Sequence, residues 1–310
     1  MKYYALGDSQ FVDMVEELKK AEEYIFMEFF IVSGGQMLGT ILDILKEKAR
    51  QGVEVRFMCD GTNVLWNLPS FFTEMMEEEG IPCKMFAPIR PGFSPHYNNR
   101  DHRKILVVDG KVAFTGGINL ADEYINEKNR FGHWKDVGAM IRGDAVERFT
   151  YMFLEMWDES EEQPEDYERY RLPAGASVSN DGYVIPYSVC PLGSERVGEM
   201  VYLEIRRGSK YDGIIMDPPS YGRGPKGEIW KMEYNIWPFL QLATQLLSKD
   251  ALFFLFNSYT TGLQPAVLSY MMNETLAKPL GGQVEASEIG LPVSQSGLVL
   301  PCGAAGRWQR

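Results

Sequence analysis

The sequence predicts an α/β protein throughout, and two observations carry that prediction. Segments with apolar residues at helical spacing alternate with short β-rich runs along most of the chain. The composition is that of packed cores, with 45% apolar and 13% aromatic residues over 310 positions, enough for one large or two ordinary domains. The formal charge of -12 gives no global electrostatic reason to bind nucleic acid or an anionic surface, so any ligand must be held in a local site.

The elements follow in order. Ser9 is placed to cap a helix whose apolar positions are Phe11, Val12, Val15 and Leu18, and "YIFMEFFIV" then reads as a buried strand. A second helix, "GTILDILKEKARQ", stops at Gly52 and feeds the β-rich "VEVRFMCDG". "SFFTEMMEEEG" is a third helix that stops at Gly80. This alternation predicts a largely parallel sheet covered by helices. "KILVVDG" and "KVAFTGG" are two strands joined at Asp109 and Gly110, a hairpin signal, "DVGAMIRG" is a further strand, and Asp144 is placed to cap the helix "DAVERFTYMFLEMWDE".

From Asp158 to Asp181 the chain turns acidic and polar, as a linker does, and organised structure resumes at "YVIPYS". "SERVGEMVYLEI" reads as a short helix, and "KYDGIIM" as a strand ending in a turn rich in proline and glycine. A helix around "WPFLQLATQLLS", a strand "ALFFLFNSYT", a helix around "AVLSYMMNETL" and a closing hairpin of "GGQVEASEIGL" with "SGLVLPCGAAGRW" complete the chain.

Four cysteines, Cys59, Cys83, Cys190 and Cys302, stand far apart without a CxxC pair, so neither a zinc site nor a disulfide framework is expected. The most apolar run, "YIFMEFFIVSGGQML", is too short for a membrane span and is broken by Glu28, and the start of the chain lacks a signal peptide's apolar core. As it stands the chain is expected to be cytoplasmic or peripheral.

The chemistry concentrates in "NNRDHRKILVVDGKVAFTGGINLADEYIN". His102, Lys104 and Asp109 fit HxKxxxxD, and Gly116, Gly117 and Asn119 complete a GGxN. Residues two apart in a strand share a face, so imidazole and ammonium would project side by side, one to attack a phosphorus and the other to neutralise its oxygens. The glycines would let backbone approach a phosphate, and Asn119, where "NLADEYIN" begins to look helical, could face the same anion.

This segment resembles the phospholipase D superfamily, and "FMEFFIV", "CKMFAPIRPGF", "FGHWKDVGAMIRGDAV" and "GYVIPYSVCPL" extend a resemblance to bacterial cardiolipin synthases from about residue 3 to about Ile205. The resemblance implies a helix-covered mixed sheet and metal-free transfer of a phosphatidyl group from one phosphatidylglycerol to another. It implies His102 as nucleophile, Lys104, Gly116, Gly117 and Asn119 around the phosphate, and Asp109 as the carboxylate that orients a histidine. It also implies association with a membrane. Family members carry two copies of the motif, the second histidine acting as general acid, whereas this sequence holds one: His133 opens an HxK but has Met140 at the aspartate position, and His96 has Asn98 at the lysine position. His133 is therefore expected to be structural, and a homodimer is a way to complete the site.

Further on, "DPPSYGRGPKGEIWK", with Asp217, Pro218, Pro219 and Ser220 closing a strand, resembles the (D/N)PP(Y/F/S) motif of class I methyltransferases, most closely an RNA-type family, over about residues 206 to 310. The prolines would fix a turn whose carbonyls hold a target amino group. A glycine-rich turn and an acidic residue about twenty positions on, which would hold S-adenosylmethionine, are not found upstream of Tyr211, so that cofactor is expected only if the missing half were present. The organisation expected is a phospholipase D-like half over 1–158, a linker and the start of a second half over 159–205, and a partial Rossmann-like methyltransferase sheet over 206–310, with an exposed strand edge that favours self-association. A methyltransferase fragment and a non-catalytic chimera are the alternative functions.

Overall fold

The computed structural model describes residues 1–88, 100–130, 132–161, 163–171, 184, 186, 204–223, 229–260, 262–293 and 295–310. The expectations for His96, Cys190, most of "YVIPYS" and "SERVGEMVYLEI" and much of the acidic connection lie outside these residues. The chain divides into two compact units, Met1–Leu192 and Gly193–Arg310.

In the first unit the strands are β1 (Lys2–Tyr4), β2 (Tyr24–Phe29), β3 (Glu54–Asp60), β4 (Cys83–Phe86), β5 (Lys104–Val108), β6 (Val112–Gly116) and β7 (Gly138–Arg142). They form one sheet in the order β1-β7-β6-β5-β2-β3-β4. Only β2–β3 and β3–β4 are parallel, while β1–β7, β7–β6, β6–β5 and β5–β2 are antiparallel. The expectation of a largely parallel sheet is thus corrected to a mixed one. The reason is local: Asp109 and Gly110 adopt φ of 51° and 63°, the left-handed pair of a tight hairpin, which sends β6 back along β5.

The helices α1 (Gly7–Lys20) and α2 (Gln36–Arg50) cover one face over Ile25, Met27, Leu106 and Phe114. The helix Ala145–Asp158 covers the other over Tyr24, Phe26, Val107 and Ala113. Strand β2 is buried on both faces, as its run of apolar residues around the single Glu28 requires.

Two caps and one face differ from expectation. Ser9 lies inside α1, its hydroxyl donating back to Leu6 O, and Asp144 has helical backbone angles with no side-chain cap bond. The buried stripe of α1 runs through Gly7, Gln10, Met14, Glu17 and Leu18, leaving Val12 exposed. Glu17 lies inward because a long side chain buries its methylenes while its polar end finds a partner, here Arg142 at 2.8 Å, and Gln10 turns in with its Nε2 on the Met14 sulfur.

The second unit holds β8 (Gly213–Met216), β9 (Tyr221–Arg223), β10 (Ile229–Lys231), β11 (Phe253–Ser258), β12 (Gln283–Pro292) and β13 (Val299–Gln309). Four of them form a sheet ordered β12-β13-β11-β8, parallel only at β11–β8. Helices Met232–Thr244 and Pro265–Met272 cover one face, packing Ile236, Leu240, Leu268 and Met272 on Phe254, Phe256 and Trp308. Strands β9 and β10 form a separate antiparallel ladder in the turn-rich segment, which periodicity did not foretell.

Candidate active site

His102 stands just before β5, exposed, with its ring centroid 4.7 Å from that of Phe30. Lys104 is the first residue of β5 and only 5% exposed. Its Nζ donates to His102 O at 2.7 Å and lies 5.3 Å over the Phe30 ring. Imidazole and ammonium therefore share one aromatic platform at the start of the central strand β5, although His102 itself is outside the strand. Burial, then the Lys104 charge, lowers the His102 pKa below its ordinary value, which favours the neutral imidazole. Burial also lowers the Lys104 pKa to about 8, against an opposing pull from Asp101 and Asp136. A buried ammonium with no dedicated carboxylate gains most from an incoming anion.

The residues around His102 clamp its backbone, and the motif reading missed them. On one side Arg100 Nη1 lies 3.2 Å from Asp60 Oδ1 at the end of β3, and Asp101 N donates to Asp60 Oδ2 at 3.2 Å. On the other side Arg103 Nη2 lies 2.6 Å from Glu28 Oε1 on β2, and Arg103 Nη1 donates to Met152 O at 3.1 Å. Asp101 Oδ1 closes the loop by accepting from Arg103 N at 3.1 Å. Glu28 and Asp60 are fully buried, and removing one partner of such a pair costs about 3–5 kcal/mol because the other charge stays behind. The signals were present as a glutamate inside an otherwise apolar strand and a charged run, "RDHRK", at the entry to another.

Asp109 does not orient the histidine. It lies at the far end of β5, roughly 20 Å along an extended chain from His102. Its carboxylate accepts from the backbone N–H groups of Glu22, Glu23 and Tyr24 at 2.8–3.2 Å. It is the anchor that ties the hairpin turn to the start of β2.

The glycines answer to β7 rather than to open space. Gly116 has φ 146°, and a Cβ there would run into Val137 O and to 2.6 Å from Gly138 Cα. One on Gly117 would meet the Asp136 carboxylate. Asn119 is 3% exposed, and its Oδ1 accepts from Ile31 N at 2.8 Å while its Nδ2 donates to Tyr124 Oη at 2.9 Å. It fixes the segment that carries Phe30, and its second amide hydrogen is chemically available to a ligand. No α-helix follows it: Asp122–Ile125 is a single 3-10 turn, and Asp122 instead accepts from Gln36 N and Met37 N at the start of α2. The expected helix N-terminus at the phosphate is thereby withdrawn. His133 is exposed.

In the second unit Asp217 follows β8 directly and is exposed, as is Ser220. Pro219 O accepts from Trp230 Nε1 at 2.6 Å, so the turn's carbonyl already has a donor, and Thr260 Oγ1 donates to Ser220 Oγ at 2.8 Å. The expectation that both proline carbonyls wait for a target amino group does not hold for Pro219.

Among the described residues no three His, Cys, Asp or Glu side chains converge as a metal site, and no helix is long and apolar enough to cross a membrane. Residues 14–157 match the sequence profile of the family described as "Cardiolipin synthase, PLD-like domain". An uncharacterized protein of Streptococcus mutans serotype c is 49% identical over 218 residues, which cover 70% of this chain and 47% of that protein. The cardiolipin synthase of Geobacillus kaustophilus is 40% identical over 152 residues, 49% of this chain and 30% of the relative. The chain thus spans half or less of these relatives. Among solved structures, a phospholipase D family member, Nuc from Salmonella typhimurium, has a TM-score of 0.39 at 16% identity, covering 51% of this chain and 94% of its own. A SAM dependent methyltransferase from Agrobacterium tumefaciens has a TM-score of 0.34 at 30% identity, covering 36% of this chain and 37% of its own. Residues 14–157 are thus similar to the family of cardiolipin synthase, PLD-like domains, and the C-terminal part is similar to SAM-dependent methyltransferases.

Proposed function

We propose that the first unit transfers a phosphatidyl group by the phospholipase D route, with phosphatidylglycerol as substrate. The observation that carries the reading is the placement of a neutral, exposed His102 beside the buried ammonium of Lys104 on the Phe30 ring. The imidazole attacks phosphorus, the bond from phosphorus to the glycerol oxygen breaks, and glycerol leaves after taking up a proton. A hydroxyl of a second phosphatidylglycerol then attacks the phosphohistidine, loses its proton and forms cardiolipin. Lys104, with the second amide hydrogen of Asn119, neutralises the non-bridging oxygens. The sequence holds one HxKxxxxD, so in this reading a second copy of the chain supplies the acid for the leaving oxygen across a two-fold axis, with the pair resting on a membrane surface.

The test is to incubate the whole chain with phosphatidylglycerol labelled at phosphorus and quench. An acid-labile, base-stable protein label is expected, lost in His102→Ala. Label that persists undiminished in that variant removes His102 from the mechanism. Rates per chain should rise with protein concentration if two copies build the site, and a rate independent of concentration sinks the dimer.

A second reading, a methyltransferase fragment, is favoured by Asp217 standing at the carboxyl end of β8 beside its parallel neighbour β11, where open α/β sheets bind ligands. The residues present do not fit S-adenosylmethionine. Among the described residues β8 pairs only with β11, so no strand on its other side offers a glycine-rich turn, and the Pro219 carbonyl is engaged. Calorimetric titration with S-adenosylmethionine should show no heat of binding; saturable binding would revive this reading.

A further inference from the structure

Beneath His102 lie two carboxyl groups and one guanidinium, all drawn from water. Glu28 is 0% and Asp101 1% exposed, and Arg103 sits between them, 2.6 Å from Glu28 Oε1 and 3.4 Å from Asp101 Oδ1. Glu28 occupies a place on β2 where Tyr24 and Phe26 before it on the same face are apolar and packed. Glu28 Oε2 and Asp101 Oδ2 have no donor among the described residues, and Glu28 Oε1 has the Arg103 guanidinium alone, 2.6 Å away. Buried acceptors without donors are costly, and one arrangement cures this without new atoms: a proton on one carboxyl makes it a donor to the other.

Charge counting gives the same answer. Among the directly paired groups Glu28, Asp60 and Asp101 face only Arg100 and Arg103, so three ionised carboxylates would leave one negative charge to be met by Lys104, whose ammonium is bonded to His102 O instead. Retaining one proton balances the paired groups without drawing on Lys104. Burial, and then the neighbouring Asp101 carboxylate, push the Glu28 pKa well above its ordinary value, in agreement with the count.

We propose that Glu28 and Asp101 share one proton under Arg103, and that this neutral cluster makes Glu28 a positioning residue for His102. The cluster fixes the backbone on both sides of the imidazole while leaving, of the pair Glu28 and Asp101, only the Asp101 charge to act on it. Asp60 acts from β3 and Lys104 from β5; the face toward the helix Ala145–Asp158 adds the Met152 carbonyl on Arg103. The positioning role rests on the transfer reading above, whereas the shared proton does not.

The test uses the whole chain without substrate, so its failure is separate from a failure of phosphatidyl transfer. Infrared difference spectra at neutral pH should show a protonated carboxyl band that is lost in Glu28→Gln and also in Asp101→Asn, where Glu28 is left facing Arg103 alone and ionises. The His102 titration, read by NMR of the imidazole, should be unmoved by Glu28→Gln, because the amide is as neutral as the acid it replaces. It should shift downward in Asp101→Asn. Absence of the band in the unmodified chain overturns the proposal, and so does a band that survives Asp101→Asn. A His102 midpoint lowered by Glu28→Gln overturns it as well, since that result means an ionised Glu28. Should Asp101→Asn fail to fold, the unmodified chain and Glu28→Gln still decide the matter.

Discussion

At Lys104 the charge proposed to bind phosphate is combined with burial, and the combination sets a pH window. The proposed step needs His102 neutral and Lys104 protonated. Burial lowers both pKa values, His102 below its ordinary value and Lys104 to about 8. Labelling of the protein should therefore rise as pH climbs through the lowered histidine value and fall as it passes about 8; a profile flat from pH 6 to 10 would contradict these assignments. Asp109 behaves differently, because its contribution is to stability. Its carboxylate serves three backbone amides, so Asp109→Ala should cost about 3 kcal/mol in urea unfolding, at about 1 kcal/mol for each orphaned bond. If that variant kept full stability but lost labelling, the orienting role would return.

Between elements, the approach of β7 to β6 explains what the two glycines do. Gly116 combines a φ of 146° with backbone of Val137 and Gly138 where a side chain would go, and backbone atoms cannot rotate aside. Gly116→Ala should destabilise the unit by about 3 kcal/mol or more in thermal or denaturant unfolding. Gly117→Ala should cost less, because the Asp136 carboxylate that it meets is a side chain and can turn away. Equal losses at the two positions would show that backbone crowding is not the cause. The close approach expected at both glycines was that of a phosphate, whereas the atoms nearest to them are the Val137 and Gly138 backbone at Gly116 and the Asp136 carboxylate at Gly117.

At the scale of the whole molecule, the two units differ in how completely their sheets are covered. The first has helices on both faces, while in the second β8 pairs with β11 alone among the described residues and Ile215 on it is 68% exposed. An open strand with an exposed apolar side chain invites pairing between chains, so Ile215→Lys should reduce aggregation in light scattering while leaving the unfolding midpoint of the first unit unchanged. Undiminished aggregation would place the adhesive surface elsewhere. Much of this architecture was legible from sequence by itself: the order of helices and strands, the hairpin at Asp109 and Gly110, the closing hairpin, and the histidine and lysine that the structure brings onto one ring. Those features depend on residues a few positions apart, where period and turn chemistry act directly. What only the tertiary structure decided depends on partners far away in the chain. Asp109 bonds to Tyr24 across 85 positions, and Asp101 is held by Asp60 across 41. The direction of β5 against β2, the true buried stripe of α1 and the clamp on His102 were likewise set by which surfaces met when the sheet closed, and a carboxylate or an arginine carries no local mark of the distant group that will satisfy it.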